Sequence, residues 1–137
     1  MVVSAGSWVK VTASAGWTAR SSFGMLPFGN MLWVVGGLYR KTENTATTYG
    51  DVWKSTDGAT WVEATTDAVF VNRSAFGLVE VEAGMVVFGG LYEETQDPSV
   101  EKRYLDDVWA STPACTFECP APVVCCLPDG TCRCSVL

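Results

Sequence analysis

The stretch Gly36-Gly37-Leu38-Tyr39 decides the fold class, because it returns as Gly89-Gly90-Leu91-Tyr92 at an offset of 53 residues. Two further stretches return at the same offset: Trp8-Val9-Lys10-Val11-Thr12 as Trp61-Val62-Glu63-Ala64-Thr65, and Arg20-Ser21-Ser22-Phe23-Gly24 as Arg73-Ser74-Ala75-Phe76-Gly77. Asp51-Val52-Trp53 returns as Asp107-Val108-Trp109 at an offset of 56, so the second copy carries an insertion, which loops absorb most easily. The sequence therefore predicts two copies of one structural unit.

Each copy is predicted to form four short strands, here named a to d. Strand b, at residues 31–35 and 85–88, is continuously apolar and ends at the Gly-Gly pair, as expected for a strand buried on both faces. The other predicted strands are a at 21–26 and 74–81, c at 51–55 and 107–111, and d at 60–65. Turns are predicted at 28–30, 82–84 and 56–59, and in the last of these Gly58 can take the positive φ that a tight hairpin needs. No stretch shows capped helical periodicity, so the predicted class is all-β.

Two four-stranded units, each with a Gly-Gly pair and later tryptophans, resemble the Kelch repeat over residues 7–112. The residues of the pattern are Arg20, Gly36, Gly37, Trp53 and Trp61, with Arg73, Gly89, Gly90 and Trp109 at the matching places of the second copy. Residues 55–61 also resemble the Asp-box hairpin of sialidase-type propellers, one residue shorter. The resemblance implies β-propeller blades in which these residues have architectural roles, and it implies no particular activity.

Two blades cannot close a propeller, which usually has 4–8 blades, and a two-blade unit would leave apolar faces in water. A strand d at residues 8–12 precedes the first unit, and the second unit stops at strand c. We therefore expect residues 8–12 of one chain to complete the second blade of the next. Two, three or four copies would close a ring, with three favoured, and a contact that does not close would give a filament. The alternative is a piece of a longer Kelch protein.

All six cysteines lie in a predicted second domain at residues 114–137, which follows the blade domain at residues 1–113. They are Cys115, Cys119, Cys125, Cys126, Cys132 and Cys134. Such dense, even-numbered cysteines favour a disulfide knot, with the pairing open, over a zinc cluster or a redox thiol. Disulfides place the protein outside the cell or at its surface, although no secretory signal is visible. Asn72 begins a glycosylation sequon that fits this location.

Composition excludes several classes of function. The net charge of −6 argues against nucleic acid and anionic lipid as partners, and no apolar run approaches the roughly 20 residues that span a bilayer. The chain has no histidine, which removes histidine-based catalytic triads and histidine-ligated metals. We expect no catalytic residue, no cofactor and no metal site. Asp51, Asp106 and Asp107 are interpreted as hydrogen-bonding residues at turns and strand ends.

The sequence thus predicts a non-catalytic extracellular module that interacts with other molecules and with copies of itself. The connections at 38–50 and 91–106 are the longest and differ most between the copies, so they are predicted to be loops that recognise protein or glycan. The tryptophans are interpreted as core residues and not as a sugar-stacking surface. The alternatives are a disulfide-cross-linked filament or coat and a fragment of a glycan-active propeller enzyme.

Overall fold

The computed structural model describes residues 8–42, 45–81, 84–94 and 102–111, and every regular element in these ranges is a β-strand. The strands are β1 (Gly24–Phe28), β2 (Met31–Thr42), β3 (Thr45–Ser55), β4 (Val62–Thr65), β5 (Gly77–Val81), β6 (Gly84–Tyr92) and β7 (Arg103–Ala110). They form two antiparallel sheets, the first in the order β1-β2-β3-β4 and the second in the order β5-β6-β7. The predicted all-β class is confirmed. In these ranges there is no helix that could cross a membrane.

The turn between β1 and β2 shows why the strands begin and end where they do. Phe28 pairs with Met31, so the loop between them contains only Gly29 and Asn30. Both loop residues have positive φ, 59° and 61°. Two left-handed residues in a two-residue loop match the twist of the flanking strands, and glycine and asparagine are the residues that tolerate this conformation. The hairpin therefore fixes the register of β1 on β2.

The Gly-Gly pairs lie inside strands, which corrects the prediction that they end strand b. Gly36 and Gly37 have φ values of 55° and 115°, and the pairing of β2 with β3 shifts by a residue at this point. Gly89 and Gly90 repeat the irregularity in β6, with φ values of 62° and 107°. A bulge of this kind bends a strand without ending it. The ladder resumes where Gly37 pairs with Tyr49.

The prediction that 38–50 and 91–106 are loops is wrong at residues 38–42, 45–50, 91–92 and 103–106, which belong to strands, and a recognition role for these connections stays a prediction. In the first sheet β2 continues to Thr42 and β3 begins at Thr45, with Leu38 opposite Thr48. In the second sheet the ladder between β6 and β7 extends to the pair of Tyr92 and Arg103. Threonine and tyrosine have high strand propensity, which explains why residues 45–50 of the first connection form a strand.

The predicted a strands begin later than expected. Ser22 and Ala75, at equivalent positions, have φ values of 53° and 51°, which interrupts the extended chain. Before each of them a serine forms a single bridge, Ser21 with Leu38 and Ser74 with Leu91. The regular strands β1 and β5 start only after these left-handed residues.

Residues 8–12 form no strand within the described chain. Trp8, Val9 and Val11 are exposed there. That these residues pair with another copy stays a prediction.

Buried apolar side chains concentrate in the first sheet and its contact with the second. The first sheet contributes Leu26, Val34, Val35, Leu38 and Ala46, and the second contributes Met85 and Val87. The more complete four-stranded sheet therefore has the better-covered core, and the three-stranded sheet leaves more apolar surface in solvent.

Candidate functional site

Each repeat holds a buried arginine against an aspartate. Arg73, which is fully buried, donates from Nη1 and Nη2 to the two carboxylate oxygens of Asp107 at 2.6 and 2.9 Å. Its Nε donates to the carbonyl of Val71 at 3.0 Å, and Nη1 also donates to that of Gly89 at 2.9 Å. These bonds join the chain entering the second sheet to the bulge of β6 and to β7.

The first repeat builds the same arrangement from Arg20 and Asp51, with a distance of 2.9 Å from Nη2 to Oδ2. Trp53 Nε1 donates to Asp51 at 2.8 Å, and Trp109 Nε1 donates to Asp107 at 2.7 Å. The hydrogen bond from Arg73, followed by that from Trp109, holds the pKa of Asp107 well below its usual value. These charges are therefore engaged within the protein and are poorly placed to bind an ion.

The residues that resemble an Asp-box form a closed turn between β3 and β4. Asp57 Oδ1 accepts from the backbone N–H groups of Ala59 and Thr60 at 2.8 and 2.7 Å, and lies 3.0 Å from Ser55 Oγ. The bond from Thr60, then that from Ala59, lowers the pKa of Asp57. Gly58 takes a φ of 73°, as the turn prediction required. The hairpin's polar groups are used to hold its own shape.

An aromatic cluster fastens the segment before β1 to the first sheet. The ring of Trp17 meets Trp61 edge-on at 4.5 Å and Trp53 at 5.9 Å between ring centroids. The second repeat has Phe70 and Trp109 at the positions of Trp17 and Trp53, with their rings 6.5 Å apart. No residue of the described second sheet occupies the place that Trp61 takes in the first, and Trp109 is exposed.

Backbone hydrogen bonds and the ring of Phe76 contribute to the junction between the two sheets. Gly37 N–H donates to the carbonyl of Arg73 at 2.9 Å, and Arg73 N–H donates to that of Tyr49 at 3.1 Å. The ring of Phe76 lies where a Cβ on Gly24 would stand, 2.7 Å from that position. Gly24 therefore has no room for a side chain, and Phe76 packs directly on the backbone of β1.

Glu93, which lies in the predicted recognition loop at 91–106, is a buried residue at the junction between the sheets. Its carboxylate accepts from Arg40 at 2.6 Å and lies 3.5 Å from Lys102 Nζ, and its backbone carbonyl accepts from Thr48 N–H at 3.1 Å. Burial raises the pKa of Glu93, but Arg40 and then Lys102 outweigh this and lower it. Arg40 and Glu93 are 53 residues apart and therefore occupy equivalent positions of the two repeats. Opposite charges at equivalent positions were the feature of the sequence that could have indicated this ion pair.

The carboxylates of the described residues are not gathered into one cluster. Within the described ranges there is no group of three or more Cys, Asp or Glu side chains placed to hold a metal ion. One open cleft, of about 470 Å³, is lined mainly by the β1–β2 turn, and Glu80 is the carboxylate among its described lining residues.

The structure describes the predicted glycosylation site but not the predicted disulfide sites. Asn72 is half-buried at the junction, where its Nδ2 donates to the carbonyl of Thr48 at 3.2 Å and its Oδ1 lies against Gly50. A glycan on Asn72 would have to be accommodated within this contact, so glycosylation stays a prediction. The six cysteines, at residues 115–134, lie outside the described residues.

Two kinds of surface among the described residues are relevant to association, although the outer edges of β1, β4 and β5 likewise pair with no described strand. The first is the outer edge of β7, named here the β7 edge, which no described strand pairs with and which presents exposed Tyr104 and Val108. The second comprises two apolar sheet faces, which carry Phe23 and Met25 on one side of the molecule and Val79 and Phe88 on the other. Unpaired edges and apolar faces are surfaces at which proteins associate.

Comparison with known proteins adds no family to these observations. No protein-family model matches the chain, and no curated protein matches it.

Proposed function

We propose that this protein is a non-catalytic, extracellular assembly module whose two sheets act as Kelch-like propeller blades, and that copies associate head to tail by strand donation. The observation that carries the proposal is the pairing of two surfaces: an unpaired β7 edge and an exposed segment, residues 8–12, whose sequence repeats that of β4. In the donated state this segment would add to the β7 edge of another copy as a fourth strand.

The first sheet supplies the register for this contact. Val52 pairs with Thr65, Trp53 with Glu63 and Lys54 with Val62. At the offsets of the repeat, Thr12 would lie opposite Val108, Lys10 opposite Trp109, and Val9 opposite Ala110.

The same mapping accounts for the exposed indole of Trp8. Its equivalent, Trp61, packs edge-on against Trp17 and donates from Nε1 to the carbonyl of Gly58 at 3.0 Å. In the donated state Trp8 would lie against Phe70, beside Trp109, and complete an aromatic trio like that of the first sheet. An aromatic anchor in a desolvated pocket is the kind of residue that dominates binding energy.

Repetition of one head-to-tail contact gives either a closed ring or a filament. A ring of two to four chains would hold the 4–8 blades usual for propellers. The disulfide-cross-linked filament or coat uses the same contact without closure, with cysteines joining neighbours. Glycan or protein recognition would then belong to the assembled ring.

The experiment is the native mass of the full chain by light scattering after size exclusion, with and without reductant. We expect a discrete multiple of 14.7 kDa that survives reduction. The test variant carries Val9→Pro and Lys10→Pro, because neighbouring N–H groups point to opposite edges of a strand and one of the two prolines must remove a ladder bond. The matched control carries Val9→Ala and Lys10→Ala.

We expect the proline variant to be monomeric and the alanine variant to retain most of the assembly. A wild-type chain that stays monomeric at every concentration would refute self-association. Large heterogeneous species that shrink on reduction would show that disulfides, and not strand donation, hold the copies together.

A further inference from the structure

The two apolar faces of the molecule are equivalent to the two sides of its own internal junction. At that junction the second sheet presents Phe76 and Leu78 to Gly24 of the first, at 2.7 and 2.8 Å from the position of a Cβ. The equivalents of Phe76 and Leu78 in the first repeat, 53 positions earlier, are Phe23 and Met25. They lie on the face of the first sheet that is opposite to the junction. We name this the presenting face.

On the opposite side of the molecule, the second sheet repeats the surface with which the first sheet contacts Phe76 and Leu78. In the first sheet Leu26 and Val35 are covered, with exposures of 8% and 2%. Their equivalents in the second sheet, Val79 and Phe88, are exposed by 44% and 42%. We name this the open face. On the presenting face Phe23 and Met25 are exposed by 38% and 51%, while Val34, the partner of Met25 in β2, is buried.

From this correspondence we propose that the open face of one copy binds the presenting face of a second copy, in the geometry of the internal junction. Phe23 and Met25 of the second copy would then lie against Val79 and Phe88 of the first. The proposal deepens the proposed self-association and rests on it, because strand donation from residues 8–12 brings the presenting face of the donating chain to this same place.

The sizes of the side chains support a junction between copies that is complementary in its own way. Within the chain, Asn72 Oδ1 lies 2.2 Å from the position of a Cβ on Gly50, so a large residue meets a residue without a side chain. At the equivalent positions Asp106 replaces the glycine and Ala19 replaces the asparagine. In the proposed contact the larger side chain, that of Asp106, would therefore come from the open face and would meet the small side chain of Ala19.

One pair of residues in the proposed contact between copies would carry charges of the same sign. Thr47 and Glu94 form a bridge at the internal junction, and their equivalents across two copies are Arg103 and Lys41. Like charges on neighbouring strands are destabilising. Replacing Lys41 with glutamate should therefore tighten the association, an effect that misfolding cannot imitate.

The experiment measures dissociation constants of the full chain by sedimentation. Phe23→Asp damages only the presenting face and Val79→Asp only the open face, and each should raise the dissociation constant roughly 30-fold, the loss expected for an anchor of the interface. Val69→Asp, at an exposed valine that belongs to neither face, is the control and should change nothing. Lys41→Glu should lower the constant about threefold.

A mixture of the two face variants gives the decisive readout. The Phe23→Asp variant keeps an unaltered open face, and the Val79→Asp variant keeps an unaltered presenting face. Two variants that are each monomeric alone should therefore form a 1:1 dimer when mixed. A mixture that stays monomeric, or a Lys41→Glu variant that associates more weakly, would overturn the face contact.

Failure of this inference is separable from failure of strand donation. If the proline variant is monomeric while both face variants associate like Val69→Asp, the donated strand is right and the face contact is wrong. If the face variants dissociate and the proline variant does not, the face contact is right and the donated strand is wrong. A monomeric wild type refutes both.

Discussion

Many residues of the first repeat have an equivalent in the second repeat, but the two members of such a pair have different surroundings. The guanidinium groups of Arg20 and Arg73 are both buried, but their carboxylate partners are not equally so: the side chain of Asp51 is 12% exposed and that of Asp107 is 35% exposed. The difference arises because the first sheet has β4 and a neighbouring sheet around it. Equivalent substitutions should therefore have unequal effects.

Asp51→Asn is expected to lower the free energy of unfolding by about 3 kcal/mol, because Arg20 would stay buried without its counter-charge. Asp107→Asn should cost about half as much, since water reaches that pair. Urea unfolding of dilute protein at pH 7 measures both values. A larger loss for Asp107→Asn would contradict the assignment of the first repeat as the better-buried one.

At the scale of strands, the glycine bulges are the features that join neighbouring elements. Gly36 has a φ of 55°, and a Cβ there would lie 2.7 Å from the carbonyl oxygen of Arg73. Gly89 has a φ of 62° but meets only the carbonyl of Leu105, at 3.2 Å. Gly29 has a φ of 59° and no neighbour within 4 Å. The three glycines share one conformation and differ in crowding.

Alanine substitutions at these glycines should separate strain from crowding. Gly29→Ala is expected to cost about 1 kcal/mol, which is the conformational penalty alone. Gly36→Ala should cost at least about 1 kcal/mol more, because the backbone of the second sheet must also move. Gly89→Ala should fall between them in dilute protein. Equal unfolding free energies for the Gly29 and Gly36 variants would mean that the junction is not rigid at Gly36.

The sequence predicted the elements better than their lengths. The recurrence of Gly36-Gly37 and of Trp53 at Trp109 located the strands, because a repeat imposes one hydrogen-bonding pattern twice. It did not reveal that β2 continues past the glycines, since two positive-φ residues in succession also occur where strands end. It did not reveal the burial of Glu93, because that depends on Arg40 in the other sheet and not on any local pattern.

At the scale of the whole molecule, Glu93 makes the junction between the sheets sensitive to acid. Its pKa is lower in the folded chain than its usual value of 4.5. The ion pair with Arg40 therefore stabilises the fold above about pH 4.5, and this contribution is lost as the pH falls from there through the folded pKa.

Glu93→Gln is expected to flatten the dependence of stability on pH below about pH 5, and to leave the variant less stable than the wild type at pH 7. Glu63→Gln, at an exposed position of β4, serves as the matched control and should keep the wild-type profile. Thermal unfolding followed from pH 3 to pH 7 gives both curves. Identical profiles for the Glu93 variant and the wild type would remove Glu93 from the acid response.

The order of strands in the sheets has a consequence for how the chain folds. Every strand of the described sheets pairs with its neighbour in sequence, in the orders β1-β2-β3-β4 and β5-β6-β7. Contacts of short sequence separation need little loop closure, so this is a low contact order for an all-β protein, and folding should be correspondingly quick. The first sheet can pair its strands while the second repeat is still on the ribosome. Residues 8–12 leave the ribosome before either sheet, yet the β7 edge proposed for them belongs to another finished chain, which makes folding and assembly successive events.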